Sequence, residues 1–413
     1  MHLVHNYVTF AQNSRKQRRP GILVSEDLKK ALRDRASKIV VLFGIVSLLG
    51  DFKYEGFRSI LPVLVESLGG TLVALGFAWG IGEFLSYGLR LPFGVIADRS
   101  RRYWLMVWTG YMATAISIPS IGLVKSLSAL VGLYSVDRIG KAARTPARDA
   151  LISELRGIGT GRAFGLHRAI DQAGAILGPL VAGLVISITN DPRLFLLLLV
   201  VPAVVQVAVL LVTQREWVRQ GYTIPLQRGW NELRFAELKG TIPIMLALML
   251  FGLGLFQIPF VLSELSQSQM PLAYALAQVC YIILAMVWGA LLDRVGIAIM
   301  LLVYLIACIV PTAMLVSPFL AAAVWGASWS LHEVGFRFVL AKLVPTGRRA
   351  AAFGLYAFIF GIATMAGSIV LGGLLEISLH YGVLYAIGVQ AVGFATFYAI
   401  LKRRVGGALV SSR

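Results

Sequence analysis

The sequence predicts an all-α membrane protein with twelve transmembrane helices in two pseudo-symmetric bundles of six. Hydrophobic residues make up 58% of the 413 residues and charged residues only 14%, and the mean hydropathy of +0.78 is too high for an ordinary water-soluble globule. Twelve apolar stretches are long enough to cross about 30 Å of hydrocarbon. Because these stretches are too long for barrel strands and lack their two-residue alternation, they indicate helices.

The stretches fall six and six around a polar connector. We expect a basic extension over residues 1–38, a first bundle over 39–213, a connector over 214–240, a second bundle over 241–401 and a tail over 402–413. The predicted spans lie near Ile39–Val65, Leu72–Ala97, Trp104–Val124, Leu127–Leu155, Ala163–Ile188, Leu194–Val212, Thr241–Leu265, Leu272–Leu292, Ala298–Val316, Phe319–Val344, Ala351–Leu375 and Leu379–Leu401.

The N-terminal extension is basic and contains a possible helix from Ser25 to Lys38. It shows no apolar run followed by a small-residue cleavage site, so we expect no signal peptide. It is either a tail that lies on an anionic membrane surface or a plain solvated tail, and translation starting further downstream is a third possibility.

Positive charge is distributed unevenly between the two sides of the predicted topology. About 27 Lys and Arg fall in the tails and in the loops on the side of the N-terminus, whereas about 2, Lys125 and Arg193, fall in the other loops. This asymmetry predicts a multi-pass protein of the cell membrane with both termini in the cytoplasm. The net charge of +18 therefore follows from topology, and no nucleic-acid partner is expected.

Metal and cofactor chemistry has no signal in the sequence. Cys280 and Cys308 both fall inside apolar runs, without the spacing of a disulfide framework or a zinc site. Gly140-Lys141 lacks the upstream glycine and the following Ser or Thr of a phosphate-binding loop, which excludes an ATP-driven pump. We expect neither metal nor cofactor.

The two halves repeat each other at corresponding helices. Three residues after the second span recur after the eighth: Gly94, Asp98 and Arg99 match Gly289, Asp293 and Arg294. At the fifth span, Ala163–Leu166 with Gly178 and Gly183 recurs at the eleventh as Ala352–Leu355 with Gly367 and Gly372. Two matches with equal internal spacing indicate duplication, which is how many secondary transporters are built.

The segment Gly94–Arg102 resembles the signature loop between helices two and three of the major facilitator superfamily, and the resemblance extends from Lys38 to Lys402. Arg101 stands where the family usually has a second glycine; the copy at Gly289–Gly296 keeps that glycine but lacks the following basic pair. The resemblance implies a two-lobed transporter with alternating access. It also implies that Asp98 and Arg99 take part in gating, with Asp98 meeting the start of helix eleven near Arg349–Ala352.

Two further segments refine the resemblance. Asp137–Leu151 with Gly161–Gly165 resembles a subgroup of prokaryotic facilitators whose substrates are mostly unassigned. The fifth span resembles the signature of antiporters that expel drugs, with Ala182 in place of a glycine; the matching residues are Gly174, Gly178, Pro179 and Gly183. Arg138 falls where facilitator antiporters place an arginine in helix four. These likenesses imply proton-coupled efflux, although small residues also serve close helix packing.

Ionisable residues inside the spans are the candidate transport residues, because each costs roughly 2.5 to 3.5 kcal/mol at the bilayer centre unless it meets a partner or water. Asp51, Glu55 and Arg58 share one face of the first span, and Asp137 lies on a narrow stripe of the fourth. The full set of pathway and proton-coupling candidates is Asp51, Glu55, Arg58, Glu83, Asp137, Arg138, Lys141, Arg144, Arg168, Asp171, Glu333 and Arg337.

Asp137 and Asp51 lie near mid-depth, so either is expected to change protonation as substrate enters and leaves. The alternative for each charge is a fixed ion pair that holds helices in register. Most candidates lie in the first half, which predicts an ionic N-terminal half facing an apolar and aromatic C-terminal wall. Candidates for that wall are Trp288, Trp325, Trp329, Tyr356 and Gln257.

We expect a monomeric secondary transporter of a small organic solute, most simply one that exports its substrate in exchange for protons. The basic excess among the intramembrane charges leaves open an uptake symporter or a uniporter for an organic anion or metabolite. A receptor built on a transporter fold is a remote alternative. An intramembrane enzyme is another, since His332-Glu333 has no second histidine at metal spacing and no nucleophile motif occurs.

Overall fold

The computed structural model describes residues 26–155, 157–223, 241–344 and 349–411, and this part of the chain is α-helical without a β-strand. The helical prediction is therefore confirmed. The α-helices in chain order are α1 Glu26–Ser59, α2 Leu61–Ser67, α3 Leu72–Gly88, α4 Arg90–Ser100, α5 Tyr103–Ser120, α6 Leu127–Ser153, α7 Thr160–Thr189, α8 Pro192–Leu198, α9 Val200–Arg219, α10 Ile242–Gly254, α11 Ile258–Leu262, α12 Gln269–Val295, α13 Leu301–Met314, α14 Pro318–Leu343, α15 Arg349–Ile377 and α16 Leu379–Ser411.

Four of the predicted spans are each built from two consecutive helices. The first combines α1 with α2, the second α3 with α4, the sixth α8 with α9, and the seventh α10 with α11. Proline explains two of these breaks, because Pro62 and Pro259 sit in the first turn of α2 and α11, where a missing backbone N–H costs least. The helix expected to end at Lys38 is instead continuous with the first span, since α1 begins at Glu26.

Eight helical segments of the described chain are long and apolar enough to cross a membrane by length and composition. They include the second and fifth to ninth spans, and the last two. The other four predicted spans are α1, α5, α6 and α14. Three of these, α1, α6 and α14, carry the intramembrane charges that lower their hydropathy, for example Asp51, Asp137 and Glu333. These three helices are therefore less apolar than the eight segments above.

Helix packing repeats between an N-terminal lobe (α1–α9) and a C-terminal lobe (α10–α16). In the N-terminal lobe α1 packs on α7 and α9, and α5 packs on α6; the C-terminal counterparts are α10 on α15 and α16, and α13 on α14. The lobes meet where α3 packs along α15 and where α7 packs on α12. Each interlobe pair is the counterpart of the other, which is the arrangement that a duplicated six-helix unit predicts.

Two corresponding glycines allow the repeated close contacts within the lobes. A Cβ at Gly178 of α7 would collide with the carbonyl oxygen of Phe52 in α1, and a Cβ at Gly367 of α15 would collide with the carbonyl of Leu253 in α10. A helix interface this tight needs a residue without a side chain. The repeat seen in the sequence therefore preserves a backbone contact.

The next pair of repeated glycines lies at the interlobe contacts. Gly183 of α7 faces Leu272 near the start of α12, with 3.5 Å from its ideal Cβ position to the nearest leucine side-chain atom, and Gly372 of α15 meets the backbone of Leu72 at the start of α3. The two contacts are equivalent in position but unequal in tightness. The α3–α15 contact is the closer one, and Gly76 of α3 extends it by meeting a backbone carbonyl of α15.

The two ends of the bundle differ. We call the end that carries the loop residues Arg101 and Arg102 the basic end; the other is the opposite end. At the opposite end the buried side chains of Leu61 and Leu64 from α2 belong to the same apolar core as Phe260 of α11. This core seals the space between the lobes there. The predicted extension before residue 26, the connector over 224–240 and the loop over 345–348 lie outside the described residues, and the predicted domain limits stay a prediction.

Candidate functional site

A cavity of about 980 Å³ lies between the lobes. At its deep end it is lined by Arg58 of α1 and Tyr274 of α12, and at its mouth by Gly94, Asp98 and Ser153. Since these mouth residues belong to the basic end and the opposite end is filled by apolar side chains, the cavity is reached from the basic end. Its size suits a small organic molecule.

The structure brings ten of the twelve candidate residues to this cavity: Asp51, Glu55, Arg58, Glu83, Lys141, Arg144, Arg168, Asp171, Glu333 and Arg337. The two that do not line it are Asp137 and Arg138. Both of these side chains are fully buried and form an ion pair with each other, between neighbouring positions of α6. Asp137 is therefore placed behind the cavity wall, whereas Asp51 is placed in it.

The Asp137–Arg138 pair is held by aromatic faces. The Arg138 guanidinium lies 4.2 Å from the ring centroid of Tyr54 and 5.2 Å from that of Tyr134. Each member of the pair retains a buried atom without a hydrogen-bond partner among the described residues, Oδ1 of Asp137 and Nη1 of Arg138. Such a pair stabilises little by itself, but losing one partner would leave the other as an isolated buried charge.

Arg58 organises the deep end of the cavity. Its guanidinium donates to Glu83 at 2.5 Å, lies 3.6 Å from Glu55, and stacks 3.9 Å over the centroid of Trp79. Tyr274 of the C-terminal lobe donates its hydroxyl proton to Glu55 at 2.5 Å. Two carboxylates and one guanidinium are thus fixed in a single network, which Tyr274 extends from the N-terminal lobe to the C-terminal lobe.

Asp51 differs from the other acids in the body of the cavity. Its side chain makes no hydrogen bond or ion pair with another residue in the described ranges, although the residue is only 8% exposed. The charged groups that act on it are Asp171 and Arg168 of α7, Lys141 of α6 and Glu55 of its own helix. Nearby charges of both signs leave the protonation of this carboxyl sensitive to how the helices are arranged.

Glu333 is the buried acid that the C-terminal lobe contributes to the cavity, and it has several hydrogen-bond and ion-pair partners. It accepts hydrogen bonds from the hydroxyls of Tyr87 in α3, at 2.9 Å, and Tyr281 in α12, and Arg337 lies 3.6 Å away. Arg168 of α7 reaches the Tyr281 hydroxyl at 3.3 Å. Through these two tyrosines a C-terminal carboxylate is connected to the N-terminal lobe.

A polar cluster nearer the basic end surrounds Ser47 of α1. Its Oγ lies 2.8 Å from the hydroxyl of Tyr111 and 3.0 Å from Nε2 of His167, and it accepts a hydrogen bond from Arg148 at 3.0 Å. Arg148 is also paired with Asp149 at 2.8 Å. The cluster joins α1, α5, α6 and α7 around the cavity.

Several functional contacts carry no signal in the sequence. Tyr54, Tyr87, Tyr274 and Tyr281 bond three of the cavity charges, Lys141, Glu55 and Glu333, yet nothing in the sequence marks these four tyrosines. Lys53 of α1 carries no such signal either. It is fully buried and donates to Gln206 of α9 at 2.5 Å.

The C-terminal lobe supplies an aromatic wall. Trp325 and Trp329 line the cavity, stacked at 5.4 Å between ring centroids, together with Phe336 and Phe353. The other proposed wall residues do not line it: Trp288 bonds Ser330, Gln257 bonds Trp79, and Tyr356 bonds His332.

The two copies of the repeated loop sequence, Gly94–Arg102 and Gly289–Gly296, occupy different settings. Asp98 of the first accepts a hydrogen bond from Tyr103 at 2.7 Å and, with Gly94, lines the mouth of the cavity. The second, which contains Gly289, Asp293 and Arg294, is not part of the lining. The predicted contact of Asp98 with the start of helix eleven stays a prediction.

The arrangement can bind and release a polar solute and hold a proton, but the described residues contain no group of three or more His, Cys, Asp or Glu that could hold a metal ion. The fifth-helix signature residues act in packing: Gly174 meets the carbonyl of Leu48, and α7 continues through Pro179 without interruption.

Sequence comparison relates the chain to membrane transporters. The model of the Major Facilitator Superfamily matches residues 40–368. An uncharacterized protein of Mycobacterium tuberculosis (strain ATCC 25618 / H37Rv) is 34% identical over 90% of this chain and 94% of its own. An uncharacterized MFS-type transporter of Methanocaldococcus jannaschii is 28% identical over 84% of this chain and 91% of its own. The multidrug resistance protein MdtH of Photorhabdus laumondii is 33% identical over 131 residues, 30% of this chain and 32% of its own.

Structural comparison agrees. The crystal structure of the nucleoside transporter NupG (D323A mutant) superposes with a TM-score of 0.73 over 88% of this chain and 99% of its own, at 15% identity. At this identity the likeness shows the fold alone. The predicted two-lobed bundle of twelve transmembrane helices is thereby confirmed.

Proposed function

The chain belongs to the major facilitator superfamily, a family of membrane transporters, and we propose that it exports a small organic solute by alternating access coupled to the entry of protons. The observation that carries the coupling is Asp51, the carboxyl group in the body of the cavity without a partner among the described residues. A coupling acid must be reachable by water in one state and must not be fixed in an ion pair. Asp51 meets both requirements, whereas Asp137 meets neither.

We assign the basic end to the cytoplasm, because Lys and Arg accumulate in cytoplasmic loops. The cavity then opens to the cytoplasm, and the apolar side chains around Leu64 and Phe260 close the outer side. In the outward-open state the α3–α15 and α7–α12 contacts would loosen at the outer end. Asp98 and Arg99 would hold the cytoplasmic side closed.

Export is supported by two likenesses. The fifth span carries the antiporter-like signature, and the partial match to the multidrug resistance protein MdtH covers 30% of this chain. Neither likeness reaches across the whole chain, so direction is part of the proposal. The monomeric state belongs to the proposal as well, because the cavity is completed by the two lobes of a single chain.

The test is proton flux in proteoliposomes under an imposed pH gradient, with a panel of organic cations, anions and neutral compounds. We expect at least one compound to drive proton movement in the wild type. Asp51→Asn should abolish that movement while the compound still binds, because the amide keeps the shape but cannot release a proton.

Asp137→Asn is the matched control. It should lower protein stability, since Arg138 would be left buried without its counter-charge, while the protein that remains folded keeps coupled proton movement. Loss of coupling in Asp137→Asn with normal coupling in Asp51→Asn would refute the assignment to Asp51. Substrate flux without proton movement would refute proton coupling altogether.

A further inference from the structure

The charges of the cavity do not all have opposite partners. The lining contains seven Lys or Arg and eight Asp or Glu, so total charge does not select a substrate. Most of these groups are paired with each other, in ion pairs formed by Arg58, Arg148, Arg168 and Arg337. The charges that remain unpaired decide which ligand the cavity can compensate.

Three lining cations have no acid within ion-pair distance in the described part of the chain: Arg90, Lys141 and Arg144. Lys141 donates only to the Tyr54 hydroxyl and lies 3.7 Å from the centroid of that ring. Arg144 is already bonded to Thr114 at 2.5 Å and to the carbonyl of Gly110. Arg90 bonds the backbone carbonyl of Ser86. Among the described acids that line the body of the cavity, Asp51 alone has no hydrogen-bond or ion-pair partner.

Lys141 and Arg90 are the two of these cations best placed to share one ligand. They come from different helices, α6 and α4, and both side chains line the same cavity. Their partners are neutral oxygens and tyrosine rings, with Arg90 lying 4.5 Å from the Tyr87 centroid. A cation held in this way keeps N–H donors for an anion, and a carboxylate accepts two or more of them.

The aromatic wall is connected to this pair of cations through Tyr87 and Glu333. Tyr87, over which Arg90 lies, donates to Glu333, and Glu333 follows Trp329 by one helical turn in α14. Trp329 stacks on Trp325, and Phe336 also faces the cavity. A flat apolar group on the ligand would therefore meet indole faces while its charged group meets Lys141 and Arg90.

We propose that the substrate is a small amphipathic organic anion, a carboxylate joined to a planar aromatic ring, with the carboxylate on Lys141 and Arg90 and the ring on Trp325 and Trp329. This inference rests on the proposed transport function and names the substrate class of the same cavity. An organic cation fits less well, because in the described lining it would meet one unpaired carboxylate, Asp51, and three cations without an acidic partner, Arg90, Lys141 and Arg144. Direction of transport does not enter this assignment.

The test is equilibrium binding to the purified full-length protein in detergent, measured as the ligand-dependent rise of the unfolding temperature. Three probes share one ring system and differ in charge: 2-naphthoate, 2-naphthamide and 2-naphthylmethylammonium. We expect naphthoate to bind about tenfold or more tightly than either of the others, since hydrogen bonds to charged groups are the strong ones.

The variants separate the two parts of the ligand. Lys141→Met and Arg90→Met should each weaken naphthoate about tenfold and leave naphthamide nearly unchanged. Trp329→Leu should weaken both, because it removes ring contact. Lys141→Arg should retain naphthoate binding, which keeps the proposal testable if Lys141→Met folds poorly. Lys125→Gln, an exposed lysine at the opposite end, is the matched control and should bind like the wild type.

Tightest binding of the ammonium probe, equal binding of all three probes, or binding of none would overturn the anion assignment. These outcomes are distinct from failure of the proposed function. Asp51-dependent proton movement driven by the ammonium probe would leave proton-coupled transport standing without an anionic substrate. Selective naphthoate binding without proton movement would support the anionic substrate and refute proton coupling.

Discussion

The N-terminal and C-terminal lobes keep the same helix contacts but bury different chemistry. Gly178 and Gly367 make equivalent backbone contacts in the two lobes. The N-terminal interior holds the Asp137–Arg138 pair, whereas the corresponding C-terminal interior holds His332, stacked at 4.6 Å on Phe251 and at 4.3 Å on Phe360. Backbone contacts fix the lobe's shape, while the side chains that face inward are free to diverge.

Because of this difference, the two lobes contribute different kinds of side chain to the cavity. The N-terminal lobe contributes most of the charged groups, among them Asp51 and Lys141. The C-terminal lobe contributes Trp325 and Trp329 and, among its described residues, one buried carboxylate, Glu333. Buried charges depend on each other, whereas stacked rings depend mainly on area. We therefore expect the N-terminal lobe to be the more sensitive to loss of one partner.

The largest predicted effect tests this sensitivity. Arg138→Met should lower the free energy of unfolding by about 3 to 5 kcal/mol, because Asp137 would remain fully buried without its counter-charge. Arg337→Met in the C-terminal lobe should cost under about 1 kcal/mol, since this side chain is 52% exposed and Glu333 keeps its tyrosine partners. Unfolding in mixed detergent micelles measures both. Equal losses would contradict the division between the lobes.

A smaller effect tests the shared framework. Gly178→Ala and Gly367→Ala each place a methyl group against a backbone carbonyl of the neighbouring helix. Both should lower the free energy of unfolding by about 1 to 3 kcal/mol, the usual cost of overpacking. Gly388→Ala in α16, where a Cβ would meet open space, is the control and should change little. A loss confined to one lobe would show that the repeated glycine no longer has the same role in both.

The smallest predicted effect is that of Arg101→Gly, in the first of the two repeated loop sequences, Gly94–Arg102 and Gly289–Gly296. Arg101 ends α4 with φ 57°, the left-handed conformation, at the position that corresponds to Gly296, which has φ 85°. Arg101→Gly should raise the free energy of unfolding by about 0.5 to 1 kcal/mol through relief of this strain. Gly296→Ala should lower it by about 1 to 3 kcal/mol. Destabilisation by Arg101→Gly would show that the arginine side chain makes a contact worth more than the strain.

Much of the fold followed from the sequence because the bilayer imposes simple requirements. Length and apolarity located the spans, and matched spacings at Gly94 and Gly289 revealed the duplication. The breaks within spans were missed, since a proline such as Pro62 marks a position where a helix can begin but does not require one. Whether an apolar run forms one helix or two depends on what packs against it.

The sequence by itself determined which helices carry charge and that most of the intramembrane charges lie in the N-terminal half. Helical periodicity fixes only which residues share a face, so Asp51 and Asp137 were equivalent before the structure. Tertiary structure decided that Asp51 faces the cavity, that Asp137 is paired with Arg138, and that tyrosines from other helices bond Glu55 and Glu333. The reason is that protonation and binding depend on water and counter-charges within a few ångströms, and these neighbours come from distant parts of the chain.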